Sequence, residues 1–336
     1  MHFASRVALK RIVWMLAALL VLLVGCWWTM ILMPLKSFEG ELPPLTPEQI
    51  ALRDGLRGHV HELAGRIGER NVFLPAALKS AVRHIESALT NAGHVVQRQT
   101  YVANGETCHN LIAEIPGSTK PGEIIVVGAH YDSVIGSPGA DDNASGVAAL
   151  LELAKSPALQ KPARTLRFVA FVNEEPPFFQ TESMGSLVCA KESRLRGENI
   201  VAMLSLESLG CYSSEAGSQR YPFPVGLFYP SRGDFVAFVG RTKDVALVRR
   251  TVRTFREGSK FPSEGGALPG VLPGIGWSDH WAYWQAGYPA IMVTDTATFR
   301  SQHYHEESDT PDKLDYDSMA RVVDGIEKVL ADLCNR

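Results

Sequence analysis

The longest apolar run in the chain comes first. Ile12–Met33 carries no charged residue and reads I-V-W-M-L-A-A-L-L-V-L-L-V-G-C-W-W-T-M-I-L-M. As a helix it would span roughly 33 Å, enough to cross the hydrocarbon core of a bilayer. The pattern after it is of another kind, with short apolar runs alternating with stretches of helical period. Strands are predicted at His94–Tyr101, Asn110–Ile115, Glu123–Ala129, Thr165–Val172, Ile200–Leu206, Phe235–Val239 and Pro289–Thr294. Runs such as I-I-V-V and L-R-F-V-A-F-V are apolar without alternation, which suits strands buried on both faces of a mainly parallel sheet. Helices are predicted from Thr46 to about Ala64, over Pro75–Asn91 before Gly93, over Ala144–Lys155 and over Ser318–Cys334. Thr46-Pro47-Glu48-Gln49 has the form of a capping box with proline at the first helical position. The fold class is therefore α/β.

Charge orients the apolar run. Arg6, Lys10 and Arg11 precede it, and Lys36, Glu39 and Glu41 follow it. The positive-inside rule puts residues 1–11 in the cytoplasm, makes 12–33 a signal anchor, and places everything after Leu35 outside. Trp27 and Trp28 stand near its outer end, where aromatic rings favour the interface. A cleaved signal peptide and a lipoprotein signal ending in L-V-G-C, with Cys26 lipidated, are the competing readings. The residues after Cys26 stay apolar through Met33, which favours the anchor. Residues 34–45 read as a short Pro-containing linker and 46–336 as the folded domain.

Composition adds limits. The chain has 336 residues, 46% hydrophobic and 21% charged, with a net charge of −3. That suits one large α/β domain and gives no reason to expect nucleic acid. Five scattered cysteines, one inside the apolar run, form no disulfide framework. Gly258–Trp277 is rich in Gly and Pro, and is expected to be an irregular lid facing substrate.

The candidate chemistry is concentrated in a few motifs. H-Y-D-S covers His130–Ser133, G-A-D-D-N-A-S-G covers Gly139–Gly146, and N-E-E covers Asn173–Glu175. S-D-H-W covers Ser278–Trp281, and His305 opens H-E-E-S-D-T-P-D. His130, Glu174 and Glu207 each follow or end a predicted strand, where open α/β sheets hold their ligands. Taken singly, His130 would read as a buried histidine and Glu174-Glu175 as a solvated turn. Together they form a ligand set for two metal ions. Asp141 competes with Asp142, and His303 with His305, for the same roles.

In combination these motifs resemble the di-zinc exopeptidases of the aminopeptidase Y and aminopeptidase S family, which includes secreted bacterial leucyl aminopeptidases. The likeness covers about residues 67–329. It implies a three-layer αβα domain with a mixed, mainly parallel central sheet. It implies two Zn²⁺ per chain, His130 and Glu207 on the first, Glu175 and His305 on the second, and Asp142 bridging them. It also implies that Glu174 is the general base for the bridging water, that Asp132 orients His130, and that peptides are the substrates. Imidazole and carboxylate suit zinc, and two adjacent ions need a carboxylate that can bridge them. Many family members carry Asp where this chain has Glu207. Where some relatives place an oxyanion-stabilising tyrosine this chain has Ile275, which leaves Tyr283 and Tyr304 as candidates. His280 is expected to be structural. The alternatives are a single-zinc glutaminyl cyclase, a carboxypeptidase-type exopeptidase, and a non-catalytic receptor-like relative. Oligomeric state is left open.

Overall fold

The computed structural model describes residues 6–336. Eight strands form one sheet: β1 (Val96–Ala103), β2 (Glu106–Ile115), β3 (Lys120–His130), β4 (Arg164–Phe171), β5 (Asn199–Glu207), β6 (Val236–Arg241), β7 (Ser263–Leu268) and β8 (Ala290–Thr294). Their order across the sheet is β1-β2-β4-β3-β5-β8-β6-β7. The pairs β3–β4, β3–β5, β5–β8 and β6–β7 are parallel, while β1–β2, β2–β4 and β6–β8 are antiparallel. The sheet is thus mixed and mainly parallel.

The helices are α1 (Arg6–Cys26), α2 (Pro47–Val60), α3 (Pro75–Asn91), α4 (Gly146–Lys155), α5 (Gly185–Leu195), α6 (Val245–Gly258), α7 (His280–Gln285), α8 (Ala297–Arg300) and α9 (Tyr316–Asn335). Strand alternation feeds two cores. Ile125, Val127 and Ala129 of β3 pack towards the side holding α2, α3, α4, α6 and α9. Ile124 and Val126 pack towards the side holding α5 and α7. Helices therefore cover both faces, which buries the interior strands and explains their unbroken apolar runs.

Local signals account for several boundaries. The Gln49 N–H donates to Thr46 Oγ1 and the Thr46 N–H to Gln49 Oε1, each at 3.2 Å, so the capping box forms. The regular part of α2 ends at Val60 and continues as a wider turn, His61–Ile67. Four helices were not anticipated, α5, α6, α7 and α8. The expectation of an irregular Gly258–Trp277 lid is corrected, since Ser263–Leu268 within it is the edge strand β7. The sequence Ser-Glu-Gly-Gly-Ala-Leu hides that strand because it lacks apolar alternation. Its glycines are there for close packing: a Cβ on Gly265 would meet Met33 and Val252, and one on Gly266 would meet the Tyr229 hydroxyl.

The apolar N-terminal segment stands apart from the domain. Lys10–Ile31 is long and apolar enough to cross a membrane, and among its described residues only the last two, Met30 and Ile31, pack against the domain. It ends two residues before the apolar run does, because Met33 is buried in the domain. Arg249 Nη1 donates to the Leu32 carbonyl at 2.5 Å, Arg256 Nη1 to those of Pro34 and Leu35, and the Ser263 N–H to Ser37 Oγ. Residues 1–5 and the Cys26 side chain, on which the cytoplasmic start and the lipoprotein alternative bear, lie outside the described residues.

One buried cation braces the loops that carry the acids. Arg70 is fully buried. Its Nε donates to the Tyr131 carbonyl at 2.7 Å and Nη1 to those of Gly68 and Pro138. Nη2 donates to the Gly139 carbonyl at 2.8 Å. The guanidinium so ties the turn after β3 to the turn before α4. Burial pulls its pKa down to about 10, against nearby Asp132 and Asp309, so it stays charged at neutral pH. Arg70→Met leaves four carbonyls without their donor, and should cost about 2–4 kcal/mol. A urea unfolding midpoint equal to that of the parent protein would refute this bracing role.

Candidate metal centre

The chemical residues gather at the carboxyl ends of the central strands. His130 ends β3, Glu207 ends β5, and Glu174-Glu175 follow β4 within four residues. Asp142 lies in the turn Ala140–Ser145 that leads into α4, and its peptide bond to Asn143 is cis. His305 sits on the segment between α8 and α9.

Asp142 is the centre of the arrangement. Its Oδ1 lies 3.2 Å from His130 Nε2 and its Oδ2 3.1 Å from His305 Nε2. Glu207 Oε2 stands 3.4 Å from His130 Nε2, and Glu175 Oε2 stands 3.3 Å from His305 Nε2. Two sets share Asp142, His130–Asp142–Glu207 and Asp142–Glu175–His305, with the donor atoms of each within 4.8 Å of one another; His130, Glu174 and Glu175 meet the same limit without Asp142. Glu174 stands outside both, its Oε2 3.9 Å from His130 Nε2. It accepts no hydrogen bond among the described residues.

The donor atoms fit metal ions. His130 Nδ1 is 3.2 Å from the Asp132 carbonyl, which can only accept, so Nδ1 carries the proton. With the ring neutral, as a metal ligand must be, Nε2 points a lone pair at two carboxylates; without a metal, burial disfavours its charge, yet the surrounding acids hold its pKa well above the usual value. His130 Nε2, His305 Nε2, Asp142 Oδ1 and Glu175 Oε1 are buried with no hydrogen-bond partner. Buried acceptors facing one another call for a cation between them. The titration directions agree. Burial pushes Glu175 up to about 7, helped by Asp142 and opposed by His305. Burial and the neighbouring Glu207 and Glu175 hold Glu174 well above the carboxylate range, against His130. Burial disfavours charge on His305, yet Asp142 and Glu175 raise it to about 10. Without metal, protons must supply the missing positive charge.

Supporting residues fix each donor. Asp132 Oδ1 accepts the Glu174 N–H and Oδ2 the Glu175 N–H, both at 3.2 Å, so one carboxylate holds the two acids beside His130. Asp309 does the same for the other loop, accepting the Asp141 N–H at 2.9 Å and the Asp142 N–H at 3.1 Å. Asn143 Nδ2 donates to the Leu206 carbonyl, and its Oδ1 accepts the Ser208 N–H, which pins that turn to β5. Ser278 Oγ donates to Glu207 Oε2 at 2.6 Å, which gives the serine of S-D-H-W a role. Sequence reasoning did not assign roles to Asp309, Asn143 or Ser278. Their signal was membership of the same motifs, and only tertiary contact gives them partners.

The competing residues lie elsewhere. Asp141 turns away, its Oδ1 accepting the Gly210 N–H at 2.8 Å. His303 Nδ1 faces Ser308 Oγ. His280 is buried, its Nε2 2.7 Å from the Ile275 carbonyl, in a structural place. The Tyr283 hydroxyl donates to Cys189 Sγ inside the α5–α7 core, away from the acids. Tyr304 stacks on His305, ring centres 3.8 Å apart.

A cavity of about 110 Å³ opens beside Glu207. Leu272, Ile275 and Trp277 form one wall and Tyr221 and Tyr229 another. The second half of the Gly258–Trp277 segment thus does border the cavity. Among the described residues its lining includes no Lys, Arg or His, and its acids are Glu207 and Glu264.

Comparison with known proteins is consistent with this geometry. A family model described as Peptidase family M28 matches residues 110–330. The uncharacterized protein YfbL of Escherichia coli (strain K12) is 38% identical over 296 residues, covering 85% of this chain and 90% of YfbL. The chain spans about half the length of further curated relatives that it matches. Among solved structures, BSAP, a zinc aminopeptidase from Bacillus subtilis, superposes with a TM-score of 0.68 at 16% identity, covering 84% of this chain and 95% of BSAP. Fimbriiglobus ruber glutaminyl cyclase gives 0.62 at 21% identity, covering 88% and 97%. These two likenesses establish the fold. With its family model matched over more than half of its length, this chain belongs to peptidase family M28.

Proposed function

We propose that the protein is a membrane-anchored aminopeptidase that binds two zinc ions and removes N-terminal residues from peptides outside the cytoplasm. The observation that carries this reading is the opposed pair of ligand sets sharing Asp142. His130, Asp142 and Glu207 would hold one ion, and Asp142, Glu175 and His305 the other. Two imidazoles with three carboxylates make a donor set suited to zinc. When bound, the ions would polarise the scissile carbonyl and ease deprotonation of the attacking water.

The chain's own residues do the rest. Glu174 is free to accept a proton from that water and to return it to the departing amine. Asp132 keeps the His130 proton on Nδ1 and aligns Glu174 with Glu175. Ser278 holds the longer Glu207 side chain in place. The aminopeptidase reading, rather than the carboxypeptidase one, is supported by the cavity lining. It offers no cation to a substrate carboxylate. Lys10–Ile31 supports the anchor, with Arg6, Lys10 and Arg11 keeping its start inside.

Three outcomes are expected. Glu174→Gln should retain its zinc but lose roughly 10²- to 10⁴-fold in kcat, since general acid–base catalysis is worth that much; undiminished turnover would remove Glu174 from the role. Zinc per chain should fall by half in His305→Ala and nearly to nothing in Asp142→Ala. One zinc in the parent protein, with cyclisation of N-terminal Gln peptides, would favour the glutaminyl cyclase reading instead. The full chain should stay with membranes through alkaline carbonate washing, and release there would refute the anchor.

A further inference from the structure

Strand register lays a ruler along the floor of the cavity. Glu207 pairs with Thr294, Thr294 with Ala237, and Ala237 with Glu264. Cross-strand partners project from the same face of a sheet. The row therefore leads from a carboxylate of the proposed metal centre to a second carboxylate, across β5, β8, β6 and β7. Three inter-strand steps separate its ends by roughly 14 Å. Only the small side chains of Thr294 and Ala237 stand between them, and Gly266 in the next row carries none. Tyr221 and Tyr229 stack at 5.8 Å to form a wall, and the Tyr229 hydroxyl donates to the Gly265 carbonyl.

Glu264 stands at the far end, with a long ion pair to Arg256 and no hydrogen-bond donor among the described residues. Its side chain is 25% exposed. The nearest cation is Arg256, whose Nη2 is 3.8 Å from Oε2. Arg256 is engaged elsewhere, donating to Ser263 Oγ, to the Ser263 carbonyl and to the carbonyls of Pro34 and Leu35. Burial raises the Glu264 carboxyl, and Arg256 only partly opposes it. An added cation would complete this carboxylate.

We infer that the cavity selects a basic N-terminal residue, Arg or Lys, whose charged tip meets Glu264. This rests on the aminopeptidase reading. A peptide whose first carbonyl lies over Glu207 has its Cα a few ångströms along the row. An Arg or Lys side chain then reaches about 6–7 Å further, and a charged hydrogen bond of about 2.8 Å closes the remainder. A leucine side chain stops well short. The methylene stem lies along apolar surface, as basic side chains commonly do, and a guanidinium gains from a tyrosine face.

The test uses the full chain in detergent with four aminoacyl-4-nitroanilides, those of Arg, Lys, citrulline and norleucine. Citrulline keeps the length of arginine without its charge, and norleucine keeps the carbon stem of lysine without its ammonium. The parent protein should show kcat/KM ratios, Arg over citrulline and Lys over norleucine, of roughly 10-fold or more. Glu264→Gln should bring both ratios close to one. Each ratio is taken on one preparation, so a partly folded variant does not distort it. Cleavage of all four amides by the parent with ratios near one overturns the role of Glu264 while leaving an aminopeptidase. Ratios that survive Glu264→Gln do the same. Cleavage of none of the four removes the aminopeptidase reading, and this inference with it.

Discussion

Asp142 divides its two carboxylate oxygens between two imidazoles, and the rest of the domain is built to keep it doing so. A carboxylate buried among Glu175, Glu207 and Glu174 repels its neighbours strongly, because little water remains to screen them. No backbone would adopt this arrangement for its own stability. It persists because every connection to Asp142 is fixed from another element. Asp309 holds its N–H, Asn143 ties its turn to β5, and Arg70 ties the preceding turn to the end of β3. The energy of folding is spent on holding acids together, and metal ions are the physical reason to do so.

Topology places that knot where it is. From β3 the chain passes through α4 to β4 on one side, then through α5 to β5 on the other. The connections part at β3, and a crevice forms at the carboxyl ends there, as in other open α/β sheets. His130 ends that strand. On the far side β6 runs antiparallel to β8, and β7 extends the edge beyond it. The small residues of β6 and β7 leave the sheet face bare, which gives the crevice its side pocket. The metal centre and the pocket are thus two consequences of one strand order.

How much of this was legible depends on the range of the interaction concerned. The interior strands could be read because burial on both faces leaves an unbroken apolar run. His130, Glu174 and Glu207 could be placed because a strand end fixes where a side chain points. The capping box at Thr46 could be read because its partners are three residues apart. β7 could not, since its strand character comes from pairing with β6 and its glycines come from Met33 and Tyr229 packing against it. α6 was missed although its signal was present: Val248, Thr251, Val252 and Phe255 form one buried face at helical spacing. Arg70, Asp309 and Ser278 were beyond sequence logic, because each acts on a loop that only folding brings near.

Glu207 shows how the two halves of the site are coupled. It is the last residue of β5, and its extra methylene gives it one more torsion to fix than an aspartate would have. Ser278 supplies that constraint, while Ser205 on β5 stands 2.8 Å from Ser278 on its other side. Ser278 directly follows the cavity wall formed by Ile275 and Trp277. The backbone that shapes the pocket therefore continues into the hydroxyl that aims the Glu207 carboxylate. A shift of this wall would reach Glu207 within one residue, so pocket shape and the geometry of the acid cluster cannot vary independently.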